Sequence, residues 1–464
     1  MDRRTGHGRN ERDESGVRTV SFKTLGCRQN QYDTDYLKET FREKGFRVVE
    51  SGPSDLVVVN TCAVTARSAA KCRQAIRAAA RTGAKVLVTG CYSQVASNEV
   101  ADIPGVLVIS GVRGRAELAS LAELALAQEE LGGLQQPVDQ IRPLVAVTPH
   151  DPGQVFQETP VLSPTLTRAY LKVQEGCGDL CAYCIVPFAR GPSRSRHPEK
   201  VLQEARRLVR RGYKELVLTG THLGLYGEDF GTGKTTLPGL VKGICEIPGL
   251  LRLRLSSLEP HDVTPDLIHC LRYPQVCQHL HLPLQSGSER VLRAMGRRYT
   301  AKGFLETLDN VRKVAPDVGV STDIIAGFPG ETDQEHEETL TVAAEAGFSR
   351  MHVFKFSARP GTRAWEMPGK VPEKVKADRA RQIADLGLEL SRRFHSKHIG
   401  RDVEVLVEND RTPEGFLTGV TRNYVRCYLR GHDGLKETLQ NVRCVSLAPD
   451  GVFCEMSMTQ TPGR

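Results

Sequence analysis

Long apolar runs are missing from this 464-residue chain. None approaches the ~20 consecutive apolar residues that cross a bilayer as a helix, so no membrane is expected as a partner. No apolar stretch follows the polar opening MDRRTGHGRNERDESG, so residues 1–17 are expected to be a disordered leader and not a secretory signal. A strong charge of either sign is absent as well. The 63 Lys and Arg against 55 Asp and Glu leave a formal +8, which permits a nucleic acid partner without demanding one. No repeat of solenoid type is found. Cysteine, by contrast, is plentiful. Thirteen of them, an odd number in a long chain without an export signal, argue against a disulfide scaffold and for reduced thiols in a cytoplasmic protein.

The length corresponds to about three domains at ~150 residues each. Short β-branched runs at residues 19–25, 54–60, 84–90 and 106–110 alternate with the helical stretches DTDYLKETFREKGF and ARSAAKCRQAIRAAARTG. Strand–helix alternation predicts an open parallel α/β sheet over residues 18–130. Residues 131–164 are rich in proline, show little periodicity, and read as a linker. A second alternating series holds six strands, at AYLKVQ, ELVLTG, LRLRLS, QHLHLP, VSTDIIAG and HVFKFS, and predicts an open, TIM-like (β/α) barrel over 165–397. Residues 372–395 read as one helix across its end. From 398 to 464 short strands without long helices predict a small all-β barrel. The fold class is therefore α/β with an all-β appendix.

The strongest chemical signal is Cys177, Cys181 and Cys184, spaced C-x3-C-x2-C directly behind AYLKVQ. Three thiolates on one tight loop suit a metal or an iron–sulfur cubane with one iron left open. A structural zinc site wants a fourth ligand, for which His197 is the candidate within range. The second set is Cys27, Cys62 and Cys91, each behind one of the first three strands. In an open parallel sheet ligands bind beyond the carboxyl ends of the strands, so three cysteines at equivalent ends predict a second cluster. Cys72 lies mid-helix and reads as packing, as do the remaining six. In the C-terminal module, eight Lys and Arg against nine Asp and Glu over 398–464 exclude a bulk basic surface. Strict alternation in TRNYVRCYLR nevertheless predicts one strand with Val425 and Cys427 facing the core. Its other face would carry Arg422, Tyr424, Arg426 and Tyr428 as an RNA-binding stripe, or as a plain solvated face.

Both cysteine sets, with GCRQNQYDTD (26–35), NTCAVTARSAAKCRQAIR (60–77), GCGDLCAYCIVPFARGPSRSR (176–196), HLHLPLQSGSERVLRAMGR (279–297) and DIIAGFPGET (323–332), resemble the methylthiotransferases of the radical S-adenosylmethionine (SAM) superfamily. The resemblance runs from residue 18 to about 456. The segments behind Cys27 and Cys62 are most similar to the branch that acts on threonylcarbamoyladenosine in tRNA; sister branches act on isopentenyladenosine in tRNA or on an aspartate of a ribosomal protein. It implies a cluster-binding N-terminal domain, a radical SAM barrel and a C-terminal TRAM domain that holds RNA.

It also implies two [4Fe–4S] clusters, SAM, tRNA, and an electron donor such as a flavodoxin or ferredoxin. Cys177, Cys181 and Cys184 would hold the cluster that binds SAM and starts hydrogen abstraction from adenine C2, with Tyr183 the aromatic between the last two cysteines. Cys27, Cys62 and Cys91 would serve sulfur insertion, and a second SAM would give the methyl group. Because barrel ligands sit where strands finish, SAM contacts are expected among Gly220, Ser257, Gln285, Ser286 and Asp323. Arg190, Arg194 and Arg196 beside the loop are candidates for RNA phosphate or the SAM carboxylate. A non-catalytic iron–sulfur or zinc RNA-binding protein is the alternative from a different class.

Overall fold

A computed structural model describes residues 17–132, 142–151, 153–161, 163–231 and 235–457. All of the expected leader except Val17 lies outside the described residues. The described residues form two compact units. The first runs to Asp151 and takes in Thr159–Ser163 and Phe188–Arg190, and the second holds the remainder. Among the described residues no helix is long and apolar enough to cross a membrane.

The first unit is a six-stranded parallel sheet of β1 (Thr19–Thr24), β2 (Arg47–Val48), β3 (Leu56–Thr61), β4 (Lys85–Gly90), β5 (Val106–Ser110) and β6 (Leu144–Ala146). They run in the order β2-β1-β3-β4-β5-β6. Every residue of β3, LVVVNT, is buried, because helices cover both faces of a parallel sheet. Helix α1 (Arg28–Glu43) starts directly behind Cys27, earlier than its apolar period indicates. Its Leu37 and Phe41 pack with Val20, Leu56, Leu87 and Leu118. Helix α2 (Ala66–Ala80) is capped by the Thr65 hydroxyl, which accepts from the Ser68 N–H at 3.0 Å. One expectation changes here: the proline-rich segment is not linker throughout, since β6 within it pairs with β5. Pro143 and Pro149 flank that strand without interrupting it, which an edge position tolerates.

In the second unit, β7 (Ala169–Lys172) is followed by the short hairpin partners β8 (Gln174–Glu175) and β9 (Arg194–Ser195). Next come β10 (Glu215–Thr219), β11 (Arg252–Leu255), β12 (His279–His281), β13 (Gly319–Ala326) and β14 (Arg350–Lys355). Two parallel ladders, β7-β10-β11 and β12-β13-β14, are joined by bridges at Leu253–Val276 and Ser257–His281. The result is the six-stranded open barrel that the alternation predicts. The helix Glu373–Ser396 lies along β14, with Gly387 against the Met351 side chain. Finally β15 (Asp402–Arg411), β16 (Leu417–Thr421), β17 (Arg426–Leu429), β18 (Leu439–Ala448) and β19 (Gly451–Met456) close into a barrel in the order β15-β16-β17-β19-β18.

The closed barrel is bolted to the open one by buried charge. Arg252 and Arg254, two apart on β11, share one face and meet Glu215 of β10. Arg252 also donates to Glu404 Oε1 and to the carbonyls of Glu404 and Val420, at 2.8–3.0 Å. Arg254 donates to the carbonyls of Thr421 and Arg422 at 3.1 and 3.0 Å. Burial alone would raise the pKa of Glu215, but Arg254, Arg168 and Arg252 outweigh it and hold it at about 2.

This junction corrects the expected stripe. Residues 422–430 are not one strand, because Thr421–Val425 is a tight turn with Tyr424 at φ 70°. The turn forms because the Thr421 hydroxyl accepts from the Val425 N–H and donates to Asn423 Oδ1. Tyr424 stacks on His279 at 4.5 Å and lies under the Arg254 and Arg168 guanidinium groups. Arg422 donates to the Pro274 carbonyl and faces Glu404. The approach is so close that a Cβ on Gly319 would stand 2.1 Å from the Asn423 carbonyl. Arg422 and Tyr424 are therefore junction residues. Arg426 and Tyr428 remain on the outer face, bonded to Asp450.

Candidate active site

In the second unit the loop behind β8 turns sharply at Gly176, where a Cβ would lie 1.9 Å from the Pro192 carbonyl. The Cys177 N–H donates to Gly191 O at 3.0 Å, and the Cys184 N–H to Cys181 O at 3.0 Å. Between them the Ala182 N–H is tied to Met295 O at 2.8 Å. The loop thus presents Cys177, Cys181 and Cys184, each half-buried, from one rigid backbone. Burial, with the Cys181 and Cys177 thiolates beside it, pushes the Cys184 thiol up to about 12. Three mutually opposed thiolates with an open approach are a cation-demanding donor set.

Two groups that sequence reasoning did not single out flank them. Arg297 donates to Cys181 Sγ at 3.3 Å, stands over Tyr299, lies 3.5 Å from the Tyr183 hydroxyl and is paired with Glu259. His222, behind β10, is buried, with Nδ1 3.7 Å from Cys177 Sγ and 3.2 Å from Asp179 Oδ2. Its Nε2 lies 2.7 Å from Asp262 Oδ2. Burial would lower this imidazole's pKa; hydrogen bonds to Asp179, Asp262 and Cys177 reverse that and raise it to about 11. Only the position of His222 behind the ELVLTG turn was a signal, and no spacing rule marks it.

Among the described residues, the groups whose ligand atoms lie within 4.8 Å of one another are Cys177–Asp179–His222 and His222–His261–Asp262. Neither three-cysteine set is that tight, whereas thiolates sharing one tetrahedral zinc at ~2.3 Å would stand about 4 Å apart.

Of the candidate SAM residues, Gly220, Ser257, Gln285 and Ser286 follow strand ends, whereas Asp323 lies in the middle of β13. Gly220 lies against the Gln174 amide, which also accepts from the His222 N–H. Ser257 bridges to His281, whose Nε2 is 3.4 Å from Asp323 Oδ2, so these two candidates share one edge. Gln285 adopts φ 61° and is stitched to Asp323 and Ile325 through its backbone. The Ser286 hydroxyl is engaged with Thr339 and the Ser288 N–H. Arg194 and Arg196 are buried and ion-paired, to Glu175 and to Glu204 with Glu158.

In the first unit β1, β3 and β4 are neighbours, and the register Thr61–Gly90 places Cys62 and Cys91 side by side just beyond the strand ends. Cys27 is exposed, Cys62 and Cys91 are buried. Gly90 makes this possible: at φ 103° its missing Cβ leaves room for the Thr61 carbonyl. Asn30 clasps the set, donating to Leu25 O and Thr61 O at 2.8 and 2.9 Å and accepting from Cys27 Sγ at 3.6 Å. Arg190 donates to Asn30 Oδ1 at 2.7 Å and faces Asp33. Burial pushes the Cys91 thiol up to about 11, with Arg190 opposing that rise. Cys72 is buried and accepts from the Cys62 N–H at 3.3 Å, so it supports the loop behind β3.

Residues 171–343 match the model of the radical SAM superfamily, and residues 19–111 that of an uncharacterized protein family, UPF0004. The chain is 37% identical to the threonylcarbamoyladenosine tRNA methylthiotransferase MtaB of Bacillus subtilis, over 90% of this chain and 91% of that one. It is 35% identical to the MtaB of Thermotoga maritima over 96% and 98%. It is also 34% identical to the tRNA-2-methylthio-N(6)-dimethylallyladenosine synthase of Nitratidesulfovibrio vulgaris over 84% and 86%. Among solved structures, the radical SAM methyltransferase TsrM of Kitasatospora setae shares the fold at TM-score 0.55 and 16% identity, covering 75% of this chain and 77% of that one. The radical SAM match implies SAM and a [4Fe–4S] cluster. With relatives at this identity along nearly its whole length, the chain belongs to the radical SAM tRNA methylthiotransferases.

Proposed function

We propose that this enzyme adds a methylthio group to N6-threonylcarbamoyladenosine, at the position 3′ of the anticodon in tRNA. The observation that carries the choice of substrate is the 35–37% identity, over 90–96% of the chain, to two relatives named for that reaction. When bound, the cluster and SAM supply the one-electron chemistry needed to remove hydrogen from an unactivated adenine C–H, which acid–base groups cannot reach.

The chain's own residues bind, orient and exclude water. Cys177, Cys181 and Cys184 would hold the SAM-binding cluster, with Arg297 and His222 donating to two of the sulfurs and fixing them in place. Gly220, Ser257 and Gln285 lie behind strand ends, and Asp323 lies within β13, where SAM would rest; the engaged Ser286 hydroxyl makes that residue a support for the turn. Cys27, Cys62 and Cys91 would hold a second [4Fe–4S] cluster serving sulfur insertion, with Asn30 and Arg190 bracing it. A flavodoxin or ferredoxin would supply the electron.

For tRNA, the outer face of the closed barrel carries Arg426 and Tyr428, joined by Phe416 and Phe453, whose rings lie 5.3–6.4 Å from one another and from Tyr428. Arg426 and Arg430 stand over these rings. Half-exposed rings with guanidinium groups beside them suit stacking on bases and contact with phosphate. The decisive experiment is mass spectrometry of tRNA nucleosides and ribosomal proteins from a deletion strain. Loss of 2-methylthio-threonylcarbamoyladenosine alone supports the proposal. Loss of the isopentenyl counterpart or of a modified ribosomal protein moves the enzyme to a sister branch.

A further inference from the structure

Three thiols that this chemistry does not use stand together inside the C-terminal barrel. Cys427 on β17, Cys444 on β18 and Cys454 on β19 are all buried, on three adjacent strands. Cys454 Sγ donates to Cys444 Sγ at 3.7 Å, with Cys427 in the same buried core. Cys444 and Cys454 lie directly opposite one another in the β18–β19 ladder. The Cys444 backbone is turned the other way: its N–H donates to Arg401 O at 2.9 Å, and its carbonyl accepts from the Gly400 N–H at 2.8 Å. The pair is therefore a non-hydrogen-bonded one, in which opposed Cα atoms approach to about 4.5 Å and side chains are closest. That separation lies within the ~4.4–6.8 Å range that a disulfide spans without backbone movement. Beside the pair the ladder is interrupted by a bulge between Cys444 and Ser446, and Val445 there is 40% exposed, so the pairing is locally disrupted close to the surface.

We propose that Cys444 and Cys454 form a redox modification site, closed to a cross-strand disulfide by a peroxide. Cys444, which accepts the hydrogen bond from the Cys454 thiol, is the sulfur that attacks. Its thiolate breaks the O–O bond of hydrogen peroxide and takes one oxygen as a sulfenic acid; the other leaves as hydroxide and becomes water on taking up the thiol proton. The Cys454 sulfur then attacks Cys444, the S–S bond forms, and the S–O bond breaks. The departing hydroxide collects the Cys454 proton as a second water. Two thiols lose two electrons and peroxide gains them. Neither sulfur belongs to a cluster set, so the inference stands whatever the substrate is.

The test is read from one peptide, because no lysine or arginine separates Cys444 from Cys454 and trypsin releases both in residues 444–464. The full-length folded protein is treated with stoichiometric hydrogen peroxide without oxygen, denatured, alkylated and digested. The expected peptide is two hydrogens lighter, carries no alkyl group, regains two after dithiothreitol, and appears while Cys427 is alkylated. Cys454→Ala abolishes the unalkylated form and leaves Cys444 alkylated or further oxidised. Full alkylation of Cys444 and Cys454 in the oxidised wild type, or a link to Cys427 in their place, overturns the proposal.

Discussion

The two cysteine sets proposed to hold clusters bring three sulfurs together by opposite routes. Cys177, Cys181 and Cys184 fall within one loop whose turn is closed by its own backbone bonds. Cys27, Cys62 and Cys91 are dispersed along the chain and meet only because β1, β3 and β4 lie side by side in register. The loop set is already close in the chain and needs only the bonds to Gly191 and Met295 to order it; the sheet set exists only while three strands hold. Each set has an arginine beside one sulfur, Arg297 at Cys181 and Arg190 at Cys91. Local spacing specifies a site, whereas register lends one.

The all-or-none way to break this comparison is to remove each set. Alanine at Cys177, Cys181 and Cys184 is expected to halve the iron of the reconstituted protein and to abolish SAM cleavage. Alanine at Cys27, Cys62 and Cys91 is expected to halve the iron and abolish methylthiolation while SAM cleavage persists. Loss of SAM cleavage in the second variant would mean that the sets do not act separately.

Long-range assembly carries the next largest effect. Glu215→Gln leaves Arg252, Arg254 and Arg168 without their shared carboxylate, at a cost of about 3–5 kcal/mol, measured by chemical denaturation. Because the pKa of Glu215 is lowered from 4.5 to about 2 on folding, its contribution is complete above pH 4.5 and disappears as pH falls toward 2. The wild type is expected to lose stability through that window more steeply than Glu215→Gln. Parallel acid curves would place the acid sensitivity elsewhere.

Two tyrosines four residues apart sharpen the contrast. Tyr428→Ala is expected to weaken tRNA binding by ~1–3 kcal/mol with the melting temperature little changed. Tyr424→Ala, which removes the ring stacked on His279, is expected to lower the melting temperature. Equal tRNA affinity of wild type and Tyr428→Ala would leave the outer face solvated only. The smallest expected effect lies beside the clusters. His222→Asn should shift the midpoint potential of the loop-held cluster by on the order of tens of millivolts, and Arg190→Gln that of the sheet-held one. Redox titration followed by electron paramagnetic resonance separates the two, and a shift in both signals from either variant would show that the sites are coupled.

Regular alternation made most of the fold legible. Strands β1, β3, β4 and β5, the six barrel strands and the helix Glu373–Ser396 all carry apolar periods that propensity and burial reinforce, whereas the two-residue β2 carries none. What periodicity misjudged was the turn at Thr421–Val425, where alternating letters conceal a left-handed tyrosine held by a threonine hydroxyl. A period of two says which residues share a face only if the strand continues. Both cysteine sets could be named from the sequence, the first by spacing and the second by counting strands. His222, Arg297, Asn30 and Asp262 could not, because they meet the cysteines across long stretches of chain and follow no pattern.

The order of pairing in the closed barrel has a consequence for synthesis. β19 is the strand that shuts it, lying parallel to β17 on one side and antiparallel to β18 on the other. Until β19 pairs, β17 and β18 each show a bare edge. Those edges are templates for intermolecular pairing until the last strand arrives. A chain ending just short of Gly451 would keep both edges bare, whereas the six residues of β19 cover both together.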